Sequence, residues 1–276
     1  MQKPFFSIIV VSLNAGKELK NTVDSILSQT CKDYEIVIKD GESGDQSLDF
    51  LQFYEKDRRD HNRIKLVIKK DGGIYEAMNQ AVKEASGEYY LFLNCGDYFY
   101  DSYVLEKTKE EIEKKNPIKG GKTAHIFYGN LFNRKQNTMI TSSPGITDFT
   151  LYRNIPCHQV CFYHHSLFAK RGYDVRFPVR ADYEHFLYCV KEEGASCFAM
   201  SHLIASYEGG GFSETRENKK HSKKEHKEIT NRYLGKAACR KYQCILFITL
   251  APLRSKIAEN PRLSVGYNKL KSLLYQ

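Results

Sequence analysis

The pattern of apolar and polar positions predicts a helix followed by a buried strand within residues 71–97. Apolar side chains recur there at helical spacing and form one continuous stripe. The stripe consists of Ile74, Ala77, Met78, Ala81, Val82 and Ala85. Gly87 is expected to end the helix, and residues 89–93 are typical of a short strand buried on both faces. The strand leads into a glycine-containing acidic turn, residues 94–97.

Strands and helices alternate through the first half of the chain. Apolar runs predict further strands at residues 5–13, 34–39, 64–69 and 124–130. Apolar positions at helical spacing predict three more helices, marked by Leu19, Val23, Ile26 and Leu27, then Leu48, Leu51 and Tyr54, then Val104, Leu105, Thr108 and Ile112. Such alternation is typical of a doubly wound parallel sheet, so we expect an α/β fold.

Polar residues follow four successive predicted strands, namely Asn14, Asp40, Asp71 and Asp97. Parallel strands end at one rim of the sheet, where α/β proteins bind ligands, so these side chains are expected to converge. Two unpaired charges ~4 Å apart interact by roughly 4 kcal/mol at an effective dielectric of about 20. A cation or a set of ligand donors would relieve that repulsion. An ordinary turn or helix-capping role explains each residue, taken alone, about equally well.

Composition and charge narrow the class of protein. A chain of 276 residues is long enough for one large domain or two fused ones. Eight irregularly spaced cysteines without a secretory leader predict reduced thiols and a cytoplasmic protein. The longest apolar segment, residues 244–253, is about half of the ~20 residues that a membrane-spanning helix needs. The net charge of +9 is concentrated in residues 216–241, where ten Lys and Arg accompany three Glu.

Five segments carry distinctive motifs, and they lie at residues 6–14, 25–30, 36–45, 71–79 and 92–97. Together these motifs resemble those of family 2 glycosyltransferases with the GT-A fold. The last two are similar to the branch that builds bacterial capsule, O-antigen and colanic-acid-type polysaccharides. Further similar segments extend the resemblance over about residues 5–235, and they lie at 128–130, 157–162, 181–184 and 209–213.

The resemblance implies that a sugar moves from a nucleotide diphosphate donor, a UDP-sugar, to an acceptor hydroxyl with inversion at the anomeric carbon. The acceptor would be a glycan or a polyprenyl-diphosphate-linked carrier. The resemblance also implies three parts of the chain. Residues 1–130 would form a Rossmann-like nucleotide-sugar-binding half, residues 131–215 a smaller acceptor-binding half, and residues 216–276 a helical C-terminal segment.

By motif, the resemblance also implies the donor-binding residues, which are Ser12, Asn14, Asp40, Asp71, Asn79, Asn94 and Asp97. Asn94 and Asp97 stand in the family's D-x-D region, and Asp97 is the expected contact for Mn²⁺ or Mg²⁺. Asn94 and Gly96 occupy positions where acids are more common. For that reason an inactive nucleotide-sugar-binding protein remains an alternative.

Asp182 is the candidate catalytic base. The attacking hydroxyl must lose its proton as the new bond forms, which requires a base nearby. The resemblance places the base at an aspartate that precedes an aromatic residue, and Asp182 precedes Tyr183. Asp182 also begins a predicted helix, where the helix dipole favours an acid for purely structural reasons. Glu184 is the reserve candidate.

Two further segments carry candidate site residues. Residues 157–165 contain two Cys and three His, ligands that zinc prefers, but a strand would point the cysteines and His158 to opposite sides. His158 and Gln159 fit better as contacts to the acceptor or the diphosphate. The glycine-rich residues 209–213 could form a loop over the donor, with Ser213 and Arg216 near the diphosphate, although a plain hinge explains them equally well.

The basic segment predicts a partner that carries negative charge. Each Lys or Arg near an anionic leaflet contributes about 1 kcal/mol, so this segment could hold the protein at the inner face of a bacterial plasma membrane. A solvated helix followed by a buried one is the alternative. A nucleic-acid-binding module with a Cys/His metal site is a competing class. Charge confined to one segment and acids along the sheet rim disfavour it, so no nucleic acid partner is expected.

Overall fold

A computed structural model of the protein describes residues 3–54, 63–115, 124–208 and 215–249. The chain divides into two compact units, residues 1–227 and residues 228–276. All eight cysteines lie within the described ranges, and none of them forms a disulfide there. The predicted division at residues 130 and 215 into a donor half, an acceptor half and a C-terminal segment is a functional one and stays a prediction.

Four parallel strands form one side of the sheet, in the order β3-β2-β1-β4. They are β1 (Phe6–Ser12), β2 (Tyr34–Asp40), β3 (Ile64–Ile68) and β4 (Tyr89–Phe92). Every residue of β1, β2 and β4 is buried, as expected for strands covered on both faces. Ser12 lies directly opposite Asp40 in the register, so two of the predicted polar strand ends are neighbours.

Four helices follow these strands. They are α1 (Lys17–Leu27), α2 (Leu51–Tyr54), α3 (Ile74–Val82) and α4 (Val104–Lys115). The helices α1, α3 and α4 bury most of their predicted apolar stripes, whereas Leu48 and Leu51 of the second stripe are only half-buried. The helix α3 ends before Ala85, whose amide is shared between the carbonyls of Ala81 and Val82 at 3.2 and 3.3 Å. The stripe therefore predicts the buried face of α3 correctly and its end about one turn too late.

Within the described residues, five more strands extend the sheet to nine and make it mixed rather than parallel. They are β5 (Tyr98–Phe99), β6 (His125–Asn133), β7 (Thr138–Ile140), β8 (Cys161–His164) and β9 (Ser196–Tyr207). The order continues β4-β8-β6-β9-β5, with β7 paired to β6. The strand β8 runs antiparallel to both β4 and β6. Two helices complete this part, α5 (Asp148–Arg153) and α6 (Ala181–Lys191).

The antiparallel pairing of β4 and β8 positions the site. Because the two strands run in opposite directions, the chain entering β8 lies beside the chain leaving β4. The entering residues, His158–Val160, form a 3-10 turn in which Val160 is buried. The strand alternation predicted for residues 157–160 is therefore wrong, and the strand begins only at Cys161.

The C-terminal segment forms two helices, α7 (Arg216–Leu234) and α8 (Lys236–Ile248), and the boundary between the compact units falls within α7. In α7, Glu225 and Ile229 are buried. In α8, the apolar Phe247 and Ile248 are 77% and 76% exposed. The predicted roles of the apolar segment, in a membrane interface or in a buried helix, stay predictions. Within the described residues, no helix is long and apolar enough to span a membrane.

Candidate active site

An open cavity of about 580 Å³ lies where β1 ends and α3 begins. Its lining includes Ser12 and Asp71, two of the predicted donor residues. Leu13 and Val175 also line it, and both side chains are exposed although they are apolar. Exposed aliphatic side chains around a cavity suit a flat, partly apolar ligand with a few polar contacts.

Asp71 is neutralised by a lysine that the sequence prediction missed. The side chain of Lys39 is fully buried, and its Nζ lies 2.6 Å from Oδ2 of Asp71. The same ammonium donates to the carbonyls of Asp40 and Lys69 at 3.0 and 2.5 Å. The other Asp71 oxygen accepts from the amide of Gly73 at 3.1 Å. The sequence contains a signal for this pair, since Lys39 is a charged residue inside the predicted buried strand EIVIKD.

Asp40 and Asn14 hold together the loops that follow β1 and β2. The carboxylate of Asp40, fully buried, accepts from the Ser43 amide and hydroxyl, both at 2.7 Å. The side-chain oxygen of Asn14 accepts from the Gly44 amide at 2.9 Å. The expectation that unpaired carboxylates would repel one another at the rim is therefore wrong for Asp40 and Asp71, because protein groups satisfy each of them.

The turn after β4 carries Asp97 on a fixed backbone. Gly96 adopts φ 89°, a left-handed conformation that favours glycine. Its carbonyl accepts from Nη2 of Arg134 at 2.6 Å, and the guanidinium of Arg134 lies over the ring of Tyr98 at 4.3 Å. This arginine, which the sequence prediction missed, holds the turn from the side.

Asp97 and Asn94 offer oxygen atoms to a cation. Burial raises the pKa of Asp97, and this effect exceeds the opposing hydrogen bond from Gln159 and the charge of Arg134. The side-chain oxygen of Asn94 is buried and has no hydrogen-bond partner within the described residues. Hard divalent cations prefer such oxygen ligands, so these residues fit Mn²⁺ or Mg²⁺.

The protein alone does not surround a metal at this place. In the described ranges, no group of three or more His, Cys, Asp or Glu is placed to hold a metal ion, and this includes the Cys/His segment at 157–165. Mg²⁺ is commonly bound by one or two carboxylates together with substrate phosphates, and one buried aspartate suits that arrangement.

Asp182 lies in the first turn of α6 and is held by three donors. Its Oδ1 accepts from the Tyr75 hydroxyl at 2.9 Å and from the Tyr183 amide at 2.8 Å, while its Oδ2 lies 3.1 Å from Nδ1 of His158. Burial alone would raise the pKa of Asp182, but His158 and the other donors outweigh it and lower the pKa. The side chain remains 23% exposed, so an ionised carboxylate can meet a substrate.

Glu184, the reserve candidate, is occupied by a bidentate ion pair. Its two carboxylate oxygens accept from Arg171 at 2.9 and 3.0 Å, and the guanidinium of Arg171 stacks on Tyr188 at 3.8 Å. A base must offer a free lone pair to the attacking hydroxyl. The buried and doubly paired Glu184 therefore fits a structural role better than a catalytic one.

His158 and Gln159 connect the site residues to each other. Nε2 of His158 lies 3.0 Å from Nδ2 of Asn94, and the Gln159 amide donates to Oδ2 of Asp97 at 3.0 Å. The structure thus brings five of the predicted site residues into one contact network, namely Asn94, Asp97, His158, Gln159 and Asp182.

The remaining candidates lie outside that network. The Asn79 side chain binds the amide and the carbonyl of Tyr173 at 2.7 and 2.9 Å, a contact that fastens α3 to the loop before α6. Ser213 lies outside the described residues, and so does the side chain of Arg216. Their predicted roles in donor binding stay predictions.

The architecture is the GT-A fold of glycosyltransferases. The chain superimposes on S. aureus TarS 1-349 in complex with UDP-GlcNAc with a TM-score of 0.60 at 17% identity, covering 83% of this chain and 71% of that one. It superimposes on the mannosyltransferase PcManGT from Pyrobaculum calidifontis, in complex with GDP-Man and Mn²⁺, with a TM-score of 0.61 at 12% identity. This superposition covers 97% of the present chain and 84% of PcManGT. Against the longer TarS chain, it covers only 36% of that chain.

Sequence comparison identifies the family. The model of glycosyl transferase family 2 matches residues 7–175. A Mycobacterium bovis protein named "PGL/p-HBAD biosynthesis glycosyltransferase" is 33% identical over 81% of this chain and 85% of its own length. The chain belongs to glycosyltransferase family 2, and it is a glycosyltransferase.

Proposed function

We propose that this enzyme transfers a sugar from a UDP-sugar to a hydroxyl of a glycan or a polyprenyl-diphosphate-linked acceptor, with inversion, during synthesis of a bacterial surface polysaccharide. The observation that carries the proposal is the contact network that joins the ionised Asp182 to the turn bearing Asp97. The network combines a candidate base with oxygen ligands for the cation that would accompany a diphosphate.

The nucleobase would occupy the cavity at the end of β1. Ser12 and Asp71 offer polar contacts there, and the aliphatic side chains of Leu13 and Val175 can pack against a planar ring. The complex of TarS with UDP-GlcNAc supports a uridine donor, since that protein shares the fold. The diphosphate would extend towards the turn after β4.

Asp97 would contact the divalent cation, and the unpaired oxygen of Asn94 would lie beside it. When bound, the cation would neutralise charge on the departing diphosphate. The complex of PcManGT with GDP-Man and Mn²⁺, a protein of the same fold, supports the use of a divalent cation.

The transfer itself would need one proton acceptor. The acceptor oxygen would form a bond to the anomeric carbon as the bond from that carbon to the diphosphate breaks, and the nucleoside diphosphate would leave with the electron pair. The hydroxyl proton would pass to Asp182. The lowered pKa of Asp182 keeps this carboxylate ionised and ready to accept at neutral pH.

Thermal-shift measurements with UDP, UDP-GlcNAc, UDP-glucose and GDP-mannose, each with and without Mn²⁺, test the donor and the cation. We expect UDP compounds to raise the Tm, and Mn²⁺ to increase that shift, because ligands that bind only the native state stabilise it. Asp97→Asn should remove the Mn²⁺-dependent part, whereas Asp24→Asn, at an exposed position on α1, should leave it intact. A larger shift with GDP-mannose would contradict the uridine assignment.

Acidification should weaken the cation contact first. The pKa of Asp97 is raised by burial, so a proton competes with the metal at higher pH than for an ordinary aspartate. The Mn²⁺-dependent shift should therefore shrink as the pH falls, while the shift caused by UDP alone persists.

Stabilisation by a donor without any sugar transfer would favour the alternative, an inactive nucleotide-sugar-binding protein.

We also propose that the C-terminal segment attaches the enzyme to an anionic membrane surface at the cytoplasmic face. Exposed lysines project from α7, and exposed apolar side chains lie at the end of α8. The lysines are Lys219, Lys220, Lys223, Lys224 and Lys227. At about 1 kcal/mol per lysine near an anionic leaflet, this group would bind vesicles firmly.

Co-sedimentation with vesicles tests the attachment. The wild-type enzyme should sediment with vesicles rich in phosphatidylglycerol but not with phosphatidylcholine alone. Replacing the five α7 lysines by glutamine should reduce binding at least about tenfold. The same replacement at five other exposed lysines should not reduce vesicle binding. These lysines are Lys17, Lys20, Lys83, Lys114 and Lys115. Equal losses in the two variants would indicate a nonspecific charge effect and reject the proposed site.

A further inference from the structure

His158 directs both of its ring nitrogens at protein groups. Nδ1 lies 3.1 Å from Oδ2 of Asp182, and Nε2 lies 3.0 Å from Nδ2 of Asn94. The side chain is only 14% exposed. A direct contact to the acceptor or the diphosphate, as the sequence predicted, would require one of these nitrogens to be released.

The two partners determine where the ring carries a proton. The Asp182 carboxylate only accepts hydrogen bonds, so Nδ1 must carry the hydrogen. The Asn94 amide nitrogen only donates, so Nε2 must offer its lone pair. One neutral form of the imidazole, with its hydrogen on Nδ1, satisfies both contacts. In this arrangement the side-chain oxygen of Asn94 has no hydrogen-bond partner among the described residues.

The same contacts distinguish the two oxygens of Asp182. Each carboxylate oxygen has about two lone-pair positions for hydrogen bonds. Oδ1 accepts from the Tyr183 amide and lies 2.9 Å from the Tyr75 hydroxyl, whose single hydrogen is shared with the Val179 carbonyl at 3.1 Å. Oδ1 is therefore the more occupied of the two oxygens. Oδ2 accepts from His158 alone among the described contacts, and one position remains for a substrate hydroxyl.

We propose that His158 is a positioning residue that orients Asp182 through Nδ1 and makes Oδ2 the atom that receives the acceptor proton. Through Nε2 it also fixes Asn94 in the turn after β4. The inference rests on the proposed function, in which Asp182 is the base. It assigns His158 a role through protein groups, in place of a substrate contact.

Gln159 extends the link to Asp97. The 3-10 turn at His158–Val160 is anchored by the buried Val160, and its two polar side chains reach Asp182, Asn94 and Asp97. One short turn thereby fixes the separation between the proposed base and the proposed cation ligand. Catalysis by proximity depends on such fixed separations.

Two substitutions separate the two contacts of His158. The amide nitrogen of an asparagine lies close to the position of Nδ1, and the amide of a glutamine lies close to that of Nε2. His158→Asn should therefore keep the donor to Asp182 and lose the contact to Asn94. His158→Gln should keep the contact to Asn94 and lose the donor to Asp182.

Steady-state kinetics with UDP-GlcNAc or another UDP-sugar that supports turnover give the main readout. We expect His158→Gln to lower kcat about tenfold or more with donor KM changed less than about threefold. We expect His158→Asn to raise donor KM while kcat falls less than about threefold. In an Asp182→Asn background, His158→Gln should have no further effect on kcat. Equal kcat losses in the two single variants, or additive losses in the double variant, would overturn the proposal.

Nitrogen NMR of the enzyme labelled with ¹⁵N-histidine reads the ring directly and needs no substrate. The His158 signal is identified by its loss in His158→Gln. A hydrogen on Nδ1 in the wild type, and a change of the His158 signal in Asp182→Asn, support the proposal, whereas an unprotonated Nδ1 rejects it. If Asp182→Asn retains full transfer, the proposed base fails, while the NMR result still shows whether His158 holds Asp182.

Discussion

Replacing Asp182 by asparagine should lower the rate of sugar transfer by at least about 10²-fold, because a positioned general base contributes roughly 10² to 10⁴ to such a step. Asparagine has nearly the same shape but cannot accept the hydroxyl proton. Donor binding should persist, since Asp182 does not line the cavity at the end of β1 that is proposed to hold the nucleobase. The measurement is kcat for transfer together with the Tm shift caused by UDP.

The control is Asp148→Asn, which removes an aspartate from the first turn of α5, where the side chain is half-exposed and pairs with Lys191. Transfer by this variant should match the wild type. Near-normal transfer by Asp182→Asn would remove Asp182 as the base. Because the pKa of Asp182 is lowered, its carboxylate stays ionised at more acidic pH than an ordinary aspartate, so a loss of activity near neutrality must come from another group.

Replacing Lys39 by methionine should destabilise the protein by about 3–5 kcal/mol, the usual cost of removing one partner of a buried ion pair. The side chain of Lys39 is fully buried, and the Asp71 side chain is 9% exposed. Without the ammonium, the Asp71 carboxylate and the Lys69 carbonyl lose a close donor. Urea-induced unfolding measures the change in the free energy of unfolding.

Two comparisons make the Lys39 result specific. Lys20→Met removes a lysine whose pair with Asp24 at 2.6 Å is about half-exposed on both sides, and such surface pairs contribute less than about 1 kcal/mol. Adding Asp71→Asn to Lys39→Met should restore part of the lost stability, since it removes the uncompensated charge. A loss below about 1 kcal/mol for Lys39→Met would show that water or another group replaces the ammonium.

The sequence predicted the parallel half of the sheet well because its signal is local. Each of β1, β2, β3 and β4 is a short apolar run, and each buried helix face is a periodic stripe within a single segment. The mixed half was not predicted in this detail. The antiparallel placement of β8 between β4 and β6 depends on pairing with residues far away in the chain, which no local pattern records.

The candidate site shows the same division. Asn94, Asp97 and Asp182 were identified because they stand in local motifs at a strand end or a helix start. Lys39, Arg134 and Arg171 were not identified as partners, because each acts on a group 13 or more residues away. Which carboxylates are free and which are neutralised is decided by these distant partners.

The partly buried pair of Arg171 and Glu184 has a consequence for handling the enzyme. Mobile ions screen exposed charges beyond about 8 Å at physiological ionic strength and act far less on buried or partly buried pairs. Rising salt should therefore weaken the proposed attraction between the α7 lysines and anionic lipid long before it weakens the ion pair that anchors the helix carrying Asp182. If the proposed attachment holds, a salt wash should release the enzyme from membranes in a form that is still competent for catalysis.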